Sequence, residues 1–269
     1  LKSRITYFII FFRSIVKLHF FLKKHEPNFL VVHLLTFIPL ILLSIFNYKT
    51  KFILRISGLP ILNWPRSIFW KHVSSKLYKV LTPTKLTEDL LLKKKIFPKN
   101  IISTVYDPII CVNEIMKKKK IKIKNNFLKK DYIISIGRLT KQKNYFFLIS
   151  NFKKLSLKYD DIKLLIIGDG EEKKLLQELI IKLQIEHKVK LIGYEKNIYK
   201  YLKNSNYYIS TSKWEGSSLA MIDAAFMGLP ILCSNCPTGR KEFLNNDKNG
   251  FLFNEGDSED FLNKFNKMY

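Results

Sequence analysis

Apolar and polar positions alternate between two rhythms along this 269-residue chain: short apolar runs of four to six residues, and longer stretches whose apolar positions recur every three or four. Runs of the first kind read as buried strands and those of the second as helices packed on them, which together describe an α/β protein with parallel sheets. In the second half the pattern repeats with few gaps. A strand at 131–136 leads into an amphipathic helix ending near 155, KLLII (163–167) into a helix to 180, VKLIG (189–193) into a short helix, and YYIS (207–210) into a helix beginning near 218. Gly228-Leu229-Pro230 stops that helix and another strand starts at Ile231.

The first half gives the same rhythm less evenly. It reads as an opening helix (3–24), a strand at 51–57, a helix at 67–79, a strand and turn at 80–84, a helix at 85–94 and an exit strand at 100–108. Residues 29–46 hold 18 positions without Asp, Glu, Lys or Arg, close to the shortest spanning helix of ~17 residues. FLVV is β-prone and Pro39 interrupts, so a buried strand ending at His33 and then a core helix is the preferred reading.

Charge is unevenly spread. The chain carries +25, of which +14 falls in residues 1–108, +7 in the Lys-rich stretch 109–130 and +4 in 131–269. All but 6 of the 47 basic residues are Lys, as codon bias would give, but such a bias does not concentrate charge in one half. The N-terminal part is therefore expected to face an anionic membrane surface or a phosphorylated acceptor. No nucleic-acid motif accompanies the charge, so nucleic acid is not expected as a partner. The stretch 114–130 reads as the linker between two domains, 1–108 and 131–269. Three cysteines make no disulfide framework, and Cys233-x-x-Cys236 lacks a second pair to complete a zinc site. Arg and Lys break up the apolar N-terminus, so no cleavable signal peptide is read there.

The chemistry concentrates at residues 213–225, KWEGSSLAMIDAA. Gly216, Ser217 and Ser218 are turn and N-cap residues, and the first amides of the helix they open (Ser218, Leu219, Ala220) form an anion site with the helix dipole. Glu215 stands just before this site and Asp223 a little over one turn inside; as carboxylates they suit sugar hydroxyls. Upstream, the strand 131–136 ends in Gly137 and Arg138, with Lys143 five residues on, cations placed where a phosphate would lie. Gly168-Asp169-Gly170 is only a weak dinucleotide signal, since Glu171 and Glu172 would repel phosphate, and it reads as a plain strand-to-helix turn.

Glu215, Asp223 and the spacing between them resemble the Glu, seven residues, Glu signature of the family 4 retaining glycosyltransferases, with Asp in place of the second Glu. The resemblance extends to Arg138 and Lys143 and covers nearly all of the chain. It implies a GT-B fold, in which two Rossmann-like domains face each other across a cleft. It also implies the N-terminal domain here is incomplete, lacking the first strand and a glycine-rich loop, and that the chain stops before the family's crossing helices. By resemblance, Glu215 contacts the donor sugar, Asp223 the ribose, Arg138 and Lys143 the diphosphate, Tyr194 the base, and His33 projects from across the cleft. Arg55, Arg66 and Lys71 are acceptor-side candidates, and Thr238, Gly239 and Arg240 cleft-lining ones. The implied reaction is metal-independent transfer of a hexose or N-acetylhexosamine from a UDP- or GDP-linked donor to a lipid-linked or surface glycan, at the cytoplasmic face of the membrane. Two alternatives stay open: a nucleotide-sugar-binding module without turnover, and a basic membrane-associated assembly protein.

Overall fold

The computed structural model describes residues 2–107, 110–121, 132–215, 218–236, 239–244 and 249–269, with backbone alone for 2–12. The chain forms two compact units, residues 1–107 and 108–269.

The first unit runs α1 (Lys2–His25), β1 (Phe29–His33), α2 (Phe37–Ile45), β2 (Lys51–Arg55), α3 (Trp64–Ser74), β3 (Lys79–Thr82), α4 (Lys85–Lys93) and β4 (Ile102–Thr104). Its four strands are all parallel and lie in chain order. The apolar stretch at 29–46 is thus a strand followed by a nine-residue helix, and no helix among the described residues is long and apolar enough to cross a membrane. α3 starts three residues before the expected position because Asn63 caps it, its side chain accepting from the Arg66 amide, and Pro65 suits the first turn. The exit strand shrinks to three residues.

The second unit continues with α5 (Val112–Lys118), β5 (Tyr132–Ile136), α6 (Tyr145–Lys158), β6 (Lys163–Ile167), α7 (Lys173–Lys182), β7 (Val189–Gly193), α8 (Tyr199–Leu202), β8 (Tyr207–Ser210), α9 (Leu219–Phe226), β9 (Ile231–Asn235), α10 (Arg240–Phe243), β10 (Phe251–Asn254) and α11 (Ser258–Met268). The Lys-rich stretch expected as linker therefore carries a helix at its start, and that helix packs on α8. Residues 122–130 of it lie outside the described residues.

Six parallel strands in the order β10-β9-β8-β5-β6-β7 form the second sheet. Period-two alternation sends Ile133, Leu164, Ile166 and Ile209 to one face under α6, α7 and α11, and Tyr132, Ile134, Leu165 and Tyr208 to the other, under α8 and α9. With both faces covered, the strands read as almost continuous apolar runs. Chain direction across the sheet reverses at β5, which pairs with β6 on one side and β8 on the other. In open parallel sheets such a reversal leaves a crevice beyond the carboxyl ends of the two strands, and ligands bind there.

Candidate functional site

The loops leaving β5 and β8 flank that crevice, and they carry Gly137, Arg138 and Lys143 on one side and Glu215 on the other. Four hydrogen bonds lock the loops together. Thr211 Oγ1 donates to the Lys143 and Asn144 carbonyls, both at 3.0 Å, Lys213 N donates to Gln142 O at 2.8 Å, and Gln142 Nε2 to Trp214 O at 2.8 Å. Asn144 turns the chain into α6 with a left-handed backbone (φ 54°), a conformation its short polar side chain tolerates.

Lys143 and Glu215 meet within this frame. Lys143 Nζ lies 2.5 Å from Glu215 Oε1, and the same oxygen accepts from Ser212 Oγ at 2.7 Å and from Arg240 at 3.4 Å. The glutamate side chain is 8% exposed. A charge so removed from water needs partners, and all three described here end on Oε1, while Oε2 bonds to no described residue. Gly137 is part of the same construction: a Cβ there would stand 2.8 Å from Lys143 Cε, so the lysine stem crosses directly over it. Arg138, by contrast, is exposed.

Arg240 corrects an expectation. Instead of lining a cleft it is 1% exposed, donating to Ser234 Oγ at 2.8 Å and Ser210 Oγ at 2.7 Å underneath Glu215. Two serine hydroxyls and a carboxylate accept from the terminal nitrogens of the guanidinium, an arrangement that a loop position in the sequence does not reveal. Gly239 opens the short α10 beside it, and Thr238 lies outside the described residues.

α9 begins as expected, with Ser218 8% exposed and its carbonyl accepting from Met221 N and Ile222 N. The Ser218 side chain makes no capping bond, and Leu219 is half exposed. Among the described residues the Leu219 and Ala220 amides have no acceptor, the condition for an anion site at a helix start. Gly216 and Ser217 lie outside the described residues. Asp223 is 7% exposed, and Oδ1 accepts from the Tyr199 hydroxyl at 2.9 Å. Burial raises its pKa above the ordinary carboxylate value, with the Tyr199 bond acting in the opposite direction. Tyr194, after Gly193, is 79% exposed.

The glycines after β6 serve the loop and not a dinucleotide. A Cβ at Gly168 would fall 1.9 Å from Gly137 O, and one at Gly170 2.4 Å from Leu139 O. Their absence lets Gly168–Gly170 pack directly under the 137–139 backbone, with Leu139 N bonding Asp169 O at 2.9 Å. The thiols Cys233 and Cys236 are buried, and burial pushes Cys233 up to about 11.

The first unit holds the remaining candidates. His33 ends β1 and is exposed, and Leu34 directly after it has a left-handed backbone (φ 59°), costly for leucine, that turns the chain sharply at this point. Arg55 and Arg66 both line a cavity of about 240 Å³ with Leu34, Thr36, Ser57 and Trp70. The Arg55 guanidinium is ion-paired to Asp107 and donates to Val105 O at 2.8 Å. Arg66 donates to Ile61 O at 2.8 Å and lies over the Trp70 ring. Lys71 is exposed and does not line this cavity.

Ser212, Thr211, Gln142 and Tyr199 are site residues that sequence reasoning missed. Ser212 stands three before Glu215, and that spacing was a usable signal. Tyr199 sits 24 positions from its partner and offers none.

Comparison with known proteins places these features in a family. The family model described as glycosyl transferases group 1 matches residues 116–269. An uncharacterized glycosyltransferase of Methanocaldococcus jannaschii is 34% identical over 242 residues, covering 83% of this chain and 59% of its own length. The N-acetylgalactosamine-N,N'-diacetylbacillosaminyl-diphospho-undecaprenol 4-alpha-N-acetylgalactosaminyltransferase of Campylobacter jejuni is 28% identical over 251 residues, covering 90% and 64%. The crystal structure of Anabaena HepE in complex with UDP superposes with a TM-score of 0.74 at 15% identity, over 94% of this chain and 71% of that one. The two parallel sheets are those of a GT-B fold. The chain spans 59% and 64% of the lengths of the two curated relatives named.

Proposed function

We propose, from the fact that this chain belongs to the glycosyl transferases group 1 family, that it is a retaining glycosyltransferase. It moves a hexose or N-acetylhexosamine from a UDP- or GDP-linked donor to a hydroxyl of a lipid-linked or surface-polysaccharide acceptor. The observation that carries this reading is the meeting of Lys143 and Glu215 at the point where the sheet reverses, shortly before α9, whose Leu219 and Ala220 amides have no acceptor among the described residues. A cation and a helix N-terminus answer a diphosphate, and a carboxylate whose Oε2 bonds to no described residue answers sugar hydroxyls. As the glycosidic bond breaks, negative charge builds on the leaving diphosphate. Arg138, Lys143 and the α9 amides stabilise it in place, without a metal. Lys143 moves part of its bonding from Glu215 to the phosphate, and Arg240 beneath keeps the glutamate charge compensated meanwhile.

Asp223 holds the ribose, Tyr194 stacks on the base, His33 serves the donor sugar, and Arg55, Arg66 and Lys71 serve the acceptor. The acceptor class follows the Campylobacter relative, whose name places its substrate on diphospho-undecaprenol. Phe20 and Phe21 are exposed on α1 beside Lys17, Lys23 and Lys24, a pairing of aromatic and basic groups suited to an anionic bilayer surface on the cytoplasmic side.

Calorimetry with UDP and GDP tests the reading. At least one nucleotide binds, and Arg138→Ala and Lys143→Ala each weaken it by ~1.5 to 3 kcal/mol, the worth of a charge-assisted hydrogen bond. Equal affinity in wild type and both variants overturns it. Since the chain spans only part of its relatives, nucleotide release is scored separately, and binding without release favours a nucleotide-sugar-binding module without turnover.

A further inference from the structure

Asp223 carries the shorter of the two carboxylate side chains, and it lies in a 7% exposed place where burial favours the proton over the charge. Such a group binds a ligand well only if something fixes its rotamer and keeps it ionised. Tyr199 is placed to do both. Its hydroxyl donates to Asp223 Oδ1 at 2.9 Å, and Oδ2 bonds to no described residue.

Tyr199 is itself held at its backbone and its ring. Its amide donates to Asn197 Oδ1 at 3.2 Å, and Asn197 Nδ2 donates to Lys118 O at 3.0 Å. Lys118 Nζ lies 5.9 Å from the Tyr199 ring centre, steadied by its ion pair with Glu114 at 2.5 Å. The tyrosine is therefore clamped between α5 and α9, with only its hydroxyl committed to the acid. A phenol held at ring and backbone is a rigid donor, and a rigid donor selects one carboxylate orientation from several.

We infer that Tyr199 is a positioning residue for nucleotide recognition: it fixes Asp223 through Oδ1 so that Oδ2 accepts from the vicinal diol of the donor's ribose. This rests on the nucleoside diphosphate reading above. It adds that diol recognition belongs to a tyrosine–aspartate pair and not to the aspartate alone. An acid fixed at one oxygen meets the diol with little rotamer entropy to lose, which offsets its shorter reach. The segment entering the second unit, α5, thereby acts on the ribose position through Lys118 and Asn197.

Tyr199→Phe is the test, because it removes the hydroxyl and keeps the ring that Lys118 faces. UDP, GDP and their 2′,3′-dideoxy counterparts are titrated into the full chain, with Asp223→Asn and the double variant alongside. Wild type prefers the natural nucleotide. Tyr199→Phe loses roughly three- to tenfold in affinity for the natural form, the worth of one hydrogen bond, and none for the dideoxy form. On the Asp223→Asn background the same change costs little more. A single cooperative melt for Tyr199→Phe shows that the variant is folded.

Three results with the variants overturn the inference while leaving the nucleotide site standing. They are a full diol preference retained by Tyr199→Phe, equal weakening of natural and dideoxy forms, and full additivity of the two substitutions. A wild type that binds UDP or GDP with no diol preference does the same. A wild type that binds neither nucleotide overturns both this inference and the function it rests on.

Discussion

Replacing Arg240 by Met measures what the buried guanidinium contributes to the site. The side chain is 1% exposed, so the substitution acts inside the second unit and not at its surface. It deletes two short bonds, to Ser210 Oγ at 2.7 Å and Ser234 Oγ at 2.8 Å, and two longer ones, to Ser234 O at 3.3 Å and Glu215 Oε1 at 3.4 Å. Breaking a buried ion pair costs ~3 to 5 kcal/mol when the partner is left uncompensated. Glu215 still has Lys143 at 2.5 Å, which argues for the low end of that range. A loss of ~3 kcal/mol lowers the melting temperature of a unit this size by about 6 to 12 °C. Arg240→Lys keeps the charge but replaces a five-donor fork with a point charge that cannot span both serines, so it falls between the two. Lys241→Ala, one residue on and exposed, is the control. Thermal melts of the four proteins at one pH decide it. An Arg240→Met curve within about 2 °C of the Lys241→Ala curve refutes the reasoning, because that shift is under the ~1 kcal/mol of a single hydrogen bond.

Gly168→Ala places a methyl 1.9 Å from Gly137 O at φ 150°, whereas Gly228→Ala at φ 80° meets nothing within 4 Å. The second shows backbone strain alone, ~1 to 3 kcal/mol, and the first a distinctly larger loss in a denaturant melt, because backbone must move; equal losses would show that the loop yields freely. Asp223→Asn weakens nucleotide binding yet raises the melting temperature at neutral pH. The folded pKa of Asp223 lies above its ordinary 3.8, so the folded state holds the proton more tightly and the ionised, buried form costs stability above that pKa. Acidification through the folded pKa toward 3.8 recovers that stability in wild type, and the advantage of the variant shrinks over the same range. Melts of both proteins from neutral to acid pH check this, and a gap independent of pH counts against it.

The sequence by itself determined the elements apart from α5, the parallel order of strand and helix in each unit, and the identity of the charged residues at the crevice. Continuous apolar runs leave a strand little choice but burial on both faces, and glycine, serine and proline mark where each element stops. That is why β5, β8 and the start of α9 lie within a residue or two of their expected places. Element ends governed by a capping side chain were harder to see, as at Asn63 and α3. The tertiary structure alone decided how the charges are used. Lys143 and Glu215 are 72 positions apart, and their 2.5 Å contact exists because the sheet reverses between β5 and β8. Arg240 reads as a loop cation until the fold closes two serines and a glutamate around it. Tyr199 reads as an ordinary aromatic until α5 and α9 come against it from either side. Local propensity acts over a few residues and is written in their order, whereas the pairing of buried charges depends on which strand ends the sheet brings together.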